Sequence, residues 1–197
     1  MNHLAHIFLA GTQAQAQLGG LLGDFWRGAP DPDWPPALRA GVTLHRKIDV
    51  YTDSHPFVTD ARRLFDAPLR RYAGILLDMY FDHALARDWS RYSDESLAVL
   101  STLMLDLVAA NAAQLPPDLQ RFAHYMRDHG LFVGYSQRAT IEQALGGISR
   151  RLRRANPLAE AGPELWQRAS ALDETFARFF PDLIGYAHDQ RRLLGID

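Results

Sequence analysis

The segment LHRKIDVYTDSHP, Leu44 to Pro56, holds two His, two Asp and an Arg-Lys pair. Side chains of these types ligate cations, move protons and contact phosphate. Their spacing makes them unusual. Leu38, Val42, His45 and Asp49 fall at i, i+4, i+7 and i+11, which is one face of a helix. His45 and Asp49 therefore point inward, where an apolar stripe ought to continue. A buried carboxylate is costly unless it is paired, hydrogen-bonded or bound to a metal. The same pattern recurs in GILLDMYFDHALARDW, Gly74 to Trp89. Ile75, Asp78, Asp82, Leu85 and Trp89 share a stripe, with His83 beside it. Two carboxylates one turn apart in a buried helix repel unless a cation lies between them. In LGGLLGDFWRG, Asp24 sits among Leu21, Leu22, Phe25 and Trp26. His3 and His6, one helical turn apart, add two imidazoles.

A lone buried His–Asp pair is commonly a structural hydrogen bond, and an isolated Asp is often a cap. Asp53 is placed to cap the helix that opens at Pro56. The set Asp24, His45, Asp49, Asp78, Asp82 and His83 is harder to explain that way, because all six residues stand against apolar patterning. The chain has no Cys, so thiolate metal sites, thiol catalysis and disulfides are excluded. Oxygen and imidazole donors without sulfur suit Mn²⁺, Mg²⁺ or Zn²⁺. The residues thus point to a divalent metal site inside a helical bundle. Such sites commonly hydrolyse phosphate esters with activated water.

The elements that must carry these residues are helices. Strand signals are nearly absent, and helical spacing recurs throughout. Helical segments are predicted over Asn2–Trp26, with a break near Gly11, and over Pro36–Thr52. A short helix follows to Asp66. Further segments cover Leu69–Trp89, Ser93–Gln114, Leu119–Gly130, Gln137–Arg154 and Pro163–Leu194, with Pro181 as a kink or break. GAPDPDWPP, with four Pro in nine residues, is a loop. The expected fold is an all-α, single-domain bundle of eight to ten helices spanning 1–197. A hydrophobic fraction of 47% in 197 residues suffices for one core, although two lobes are also compatible with it.

The net charge of −2 gives no global field toward nucleic acid or a membrane. No apolar run approaches the ~18 residues of a membrane span. MNHLAHIFLAG lacks the basic start of a signal peptide, so a cytoplasmic location is expected. Lys47 is the only Lys, and all other basic residues are Arg.

Four motifs in order, NHLAHIFLA, GGLLGDFWRG, HRKIDVYTDSHP and LDMYFDHALARDW, resemble those of the acyl carrier protein phosphodiesterases. ALDETFARFFPDL, Ala171 to Leu183, is similar to that family's C-terminal helix. The resemblance implies a distant, rearranged relative of the HD-type metal phosphohydrolases, all-helical, using Mn²⁺ with Mg²⁺ as the other candidate. It implies release of 4′-phosphopantetheine from the serine of holo-acyl carrier protein, a reaction of fatty acid and lipid metabolism. The matching polar positions are Asp24, His45, Asp49, Asp78, Asp82, His83 and His6. His3 stands where the family often has an apolar residue and is not counted in the site. The only His-Asp dipeptide, His188-Asp189, lies in a polar C-terminal stretch and reads as surface. The central dipeptide is reversed, Asp82-His83.

On this reading a subset of Asp24, His45, Asp49, Asp78, Asp82 and His83 holds one or two metal ions, with Asp24 also directly in the chemistry. His6, or a carboxylate not bound to metal, protonates the leaving serine oxygen, and Arg46 neutralises phosphate charge. The protein substrate is acidic, and RRLRR places Arg150, Arg151, Arg153 and Arg154 as its docking patch; Arg62-Arg63 and Arg70-Arg71 are lesser candidates. Complementary charge of this kind sets encounter and specificity more than affinity. Two rivals remain at this level. One is a metal phosphohydrolase acting on a nucleotide or another small phosphoester. The other is a helical interaction module whose buried polar residues are structural. Sequence leaves the oligomeric state open.

Overall fold

The computed structural model describes residues 1–197. It contains helices and no strand: α1 (His3–Leu9), α2 (Ala14–Leu22), α3 (Pro36–Ser54), α4 (Pro56–Arg62), α5 (Ala73–Arg87), α6 (Leu97–Ala110), α7 (Pro117–His129), α8 (Leu131–Gly134), α9 (Arg138–Arg151), α10 (Gly162–Gln167) and α11 (Ala169–Leu194). The eleven α-helices exceed the eight to ten expected. The break at Gly11 is real: its φ of 82° is left-handed and ends α1. The additional helices are short pieces. The single turn α8 follows Gly130, whose φ of 54° separates it from α7. Proline opens α3, α4 and α7 in the first turn, where its missing N–H is no loss. Asp53 does not cap α4. The cap is His55, whose Nδ1 accepts from Phe57 N–H at 3.3 Å, while Asp53 pairs with Arg62. Pro181 does not end its helix, since α11 runs through it for 26 residues. Phe176, Phe179, Phe180 and Leu183, buried on both sides of Pro181, hold that segment against the core.

One connected core of 52 buried apolar residues spans all parts of the chain, so the two-lobed arrangement does not occur. Two contacts position the site. First, α2 and α3 cross glycine on glycine. A methyl group on Gly19 would fall 2.3 Å from the Leu38 carbonyl oxygen, and one on Gly41 would fall 2.3 Å from that of Ala16. Only bare backbones can approach so closely, and the approach lays His45 of α3 against the end of α2. Second, α1 docks its N-terminal end on α5. The Asp82 carboxylate accepts from Leu4 N–H at 2.8 Å and Ala5 N–H at 3.2 Å. It satisfies amides that the helix itself leaves unpaired. Asn2, at the cap position of α1, makes no side-chain cap bond, so a carboxylate from another helix does that work.

Candidate metal centre

Two helices and a turn meet here: α1 brings His6, α3 brings His45 and Asp49, and the turn after α2 brings Asp24. His6 and His45 stack with ring centroids 3.7 Å apart. Asp49 faces both, with Oδ1 3.1 Å from His6 Nε2 and Oδ2 3.2 Å from His45 Nε2. One donor atom from each of these residues lies within 4.8 Å of the others. Asp24 Oδ1 is 3.7 Å from His45 Nε2, and its Oδ2 is 2.7 Å from His3 Nδ1. Both imidazoles of the group are buried, whereas the side chains of Asp49 and Asp24 remain 43% and 36% exposed. The group is closed on the imidazole side and open on the carboxylate side. Its exposed edge at Asp24 departs from the interior placement expected from the sequence.

The hydrogen bonding fits a cation. His45 Nδ1 lies 2.8 Å from the Gly20 carbonyl, so Nδ1 carries the proton that donates there. In the neutral ring Nε2 then presents a lone pair toward Asp49 and Asp24. A partner on the far nitrogen orients metal-binding histidines in the same way. Neither nitrogen of buried His6 makes a well-directed hydrogen bond. Imidazole lone pairs facing carboxylate oxygens repel unless a proton or a cation lies between them.

The charge states follow from the surroundings. Burial, reinforced by the charge on His45, lowers the His6 pKa to about 4 despite the Asp49 contact. At neutral pH His6 is therefore the neutral imidazole, the form able to ligate a cation. Burial opposes charge on His45 too, but Asp49 and Asp24 outweigh it and raise its pKa. Burial would raise Asp24, yet the neighbouring His3 and His45 hold it well below the ordinary carboxylate range. Asp49 is likewise held down against its burial by His45 and His6.

The remaining residues singled out in the sequence lie elsewhere. Asp78 accepts from the Met1 amino group at 2.8 Å, and that amine is also 4.0 Å from Asp49. Asp78 thus borders the group across a cation, without joining it. Asp82 is engaged with α1, as described above. His83 turns to the far side of α5, where its Nδ1 lies 2.8 Å from the Tyr135 carbonyl and its ring packs on Trp166. Asp78 and Asp82 have separate protein partners, the Met1 amino group and the α1 N–H groups. Arg46 donates to the Trp26 carbonyl at 3.2 Å, fixing the turn that carries Asp24. His188 is exposed and pairs with Asp189 and Asp197. Arg150, Arg151, Arg153 and Arg154 are all exposed, and the first two border a cleft that also contains His3. His3 was passed over in the sequence. Its one-turn spacing from His6 was the available signal.

No helix is long and apolar enough to cross a membrane. No solved structure matches the chain. The family sequence model described as acyl carrier protein phosphodiesterase matches residues 1–183. Proteins named acyl carrier protein phosphodiesterase from Escherichia coli O157:H7 and from Escherichia coli strain K12 / DH10B are each 35% identical to it over 188 residues. In both cases the match covers 95% of this chain and 97% of the relative. The chain belongs to the acyl carrier protein phosphodiesterase family, a family of phosphodiester hydrolases.

Proposed function

We propose that this protein hydrolyses the phosphodiester between 4′-phosphopantetheine and the serine of holo-acyl carrier protein, leaving the apo form. The observation that carries the reading is the convergence of His6, His45 and Asp49, with Asp24 at the open edge, in a chain of this family. A kinship with HD-type phosphohydrolases is implied by the family resemblance alone, because the central dipeptide Asp82-His83 is reversed.

His6, His45 and Asp49 would hold a divalent cation, with Asp24 as the nearest further oxygen donor. Two imidazoles with carboxylate oxygens and no sulfur suit Mn²⁺ better than the oxygen-preferring Mg²⁺. When bound, such an ion activates water and neutralises charge on a phosphoryl oxygen. The chain's own residues do the rest. The Gly20 carbonyl fixes the His45 tautomer, so that Nε2 faces the substrate side. Asp49 orients both imidazoles. The His3–Asp24 pair lies on the side facing the cleft, where it can hold the proton that the departing serine oxygen takes up. The exposed Arg150 and Arg151, with Arg153 and Arg154 beyond the helix end, would steer an acidic carrier protein to that side.

The test is conversion of purified holo-acyl carrier protein, followed by gel shift, with Mn²⁺ and with EDTA. Conversion to the apo form with Mn²⁺ and none with EDTA is expected. Inertness toward the carrier protein together with turnover of a dinucleotide would favour the small-phosphoester reading instead.

A further inference from the structure

A cleft of about 550 Å³ opens beside the candidate metal centre, within the size range of organic ligand sites. It is bounded by the start of α1, by α7 and α8, and by the second half of α9. Its floor is buried: Met79, Leu131 and Tyr135 are each 2% exposed. Phe25 and Phe122, with ring centroids 5.2 Å apart, form one wall beside His3. Two neutral hydrogen-bonding groups meet over the floor, where the Asn2 amide nitrogen lies 3.3 Å from the Tyr135 hydroxyl. The rim is net cationic: it carries the exposed Arg150 and Arg151, and Arg121 paired with Asp118.

The cleft therefore suits an uncharged, partly apolar chain with a few amide groups, attached at one end to a phosphate. Charge is absent from the floor and net positive at the edge, where Arg121, Arg150 and Arg151 face one carboxylate, Asp118. The inner end meets the metal centre through His3, which contacts Asp24 at 2.7 Å. Pantetheine has this chemistry: two amides, a hydroxyl, a gem-dimethyl carbon and a terminal thiol follow its phosphate.

We infer that this cleft receives the pantetheine arm while its phosphate lies at the His6–His45–Asp49 group, and that Gly147 leaves the arm its room. The inference rests on the carrier-protein reaction proposed above. Gly147 lies within α9 and borders the cleft. A methyl group added there would meet nothing nearer than an Arg150 guanidinium nitrogen at 4.0 Å. The helix tolerates a side chain at this point, and a larger one projects into the space assigned to the arm. Replacing glycine inside a helix also favours folding, so loss of function in such a variant is not loss of structure.

The experiment compares Gly147→Leu with the unmodified chain on two substrates in Mn²⁺: holo-acyl carrier protein, and bis(p-nitrophenyl) phosphate, which has no arm. The expected result is that kcat/KM for the carrier protein falls about tenfold or more relative to the rate on the aryl diester. Gly147→Ala, with one added methyl, should leave that ratio within about twofold. If Gly147→Leu alters neither rate, or lowers both by the same factor, the arm does not lie here. If the unmodified chain cleaves the aryl diester but never the carrier protein, the proposed reaction itself fails and takes this inference with it. That pattern differs from any change between variants.

Discussion

A methyl group on Gly23 would lie 2.2 Å from Cγ of His45. The imidazole fills the space that this glycine leaves, and its Nδ1 is held 2.8 Å from the carbonyl of Gly20, three residues earlier in α2. The turn that carries Asp24 thus also sets the position of the His45 imidazole on another helix. Gly23→Ala should push the ring off this seat. Displacement of a reacting group by about 1 Å can cost about a hundredfold in rate. Turnover of holo-acyl carrier protein should fall by that order, with the helical circular dichroism unchanged. An Ala variant with full activity would show that this seat of His45 does not matter to the chemistry.

Asp49 touches both imidazoles, so its removal separates a site for a cation from a mere stack of rings. Mn²⁺ at about a hundred times its Kd should add about 2.7 kcal/mol to stability. In a chain of this size that raises Tm by about 5–10 °C. EDTA should reverse the rise. Asp49→Asn should abolish both the rise and the turnover. A Tm that ignores Mn²⁺ in the unmodified protein would argue against the cation altogether.

The stripe on α3 revealed His45 and Asp49 because helical periodicity reports which face a residue shares. It does not report what lies opposite. Asp82 and His83 stand against apolar patterning just as strongly, yet one caps α1 and the other reaches the Tyr135 carbonyl. Their partners are 52 or more residues away, and no local spacing encodes such a meeting. His6 was visible as an imidazole near the site. Only the fold shows it stacked on His45 and buried. The helices themselves were legible from the spacing of apolar residues, and Gly11 marked a true break. Pro181 does not break α11, where buried phenylalanines pack on the core around one missing backbone hydrogen bond.

The crossing of α2 over α3 should be sensitive at Gly41. The added methyl of Gly41→Ala meets backbone, the Ala16 carbonyl oxygen at 2.3 Å, which cannot rotate away as a side chain can. Overpacking of this kind typically costs about 1–3 kcal/mol, or about 2–4 °C in Tm for each kcal/mol. Because α3 carries both His45 and Asp49, activity should fall together with the denaturation midpoint. An unchanged midpoint would mean that the two helices part at no cost.

Asp82 should leave a mark on the pH dependence of stability. Burial raises its pKa to about 7, against the pull of the Leu4 and Ala5 N–H groups and of nearby His3 and the Met1 amine. The folded value stands above the ordinary 3.8, so the native state binds a proton there that the unfolded chain has already lost. The stability this contributes is fully present below about pH 4 and fades as pH rises through about 7, at no more than about 1.4 kcal/mol per pH unit. His6 acts in the opposite sense. Its folded value of about 4 lies below the ordinary 6.5, so its contribution is lost as pH falls. Asp82→Asn separates the two, since Asn does not titrate and its carbonyl can still accept an N–H from α1. The stability of the Asn variant relative to the unmodified protein, from urea denaturation, should rise steadily between about pH 4 and 7 and level off above. Parallel profiles would mean that the two backbone N–H groups of α1 keep Asp82 ionised throughout, and that the capping bond outweighs the burial.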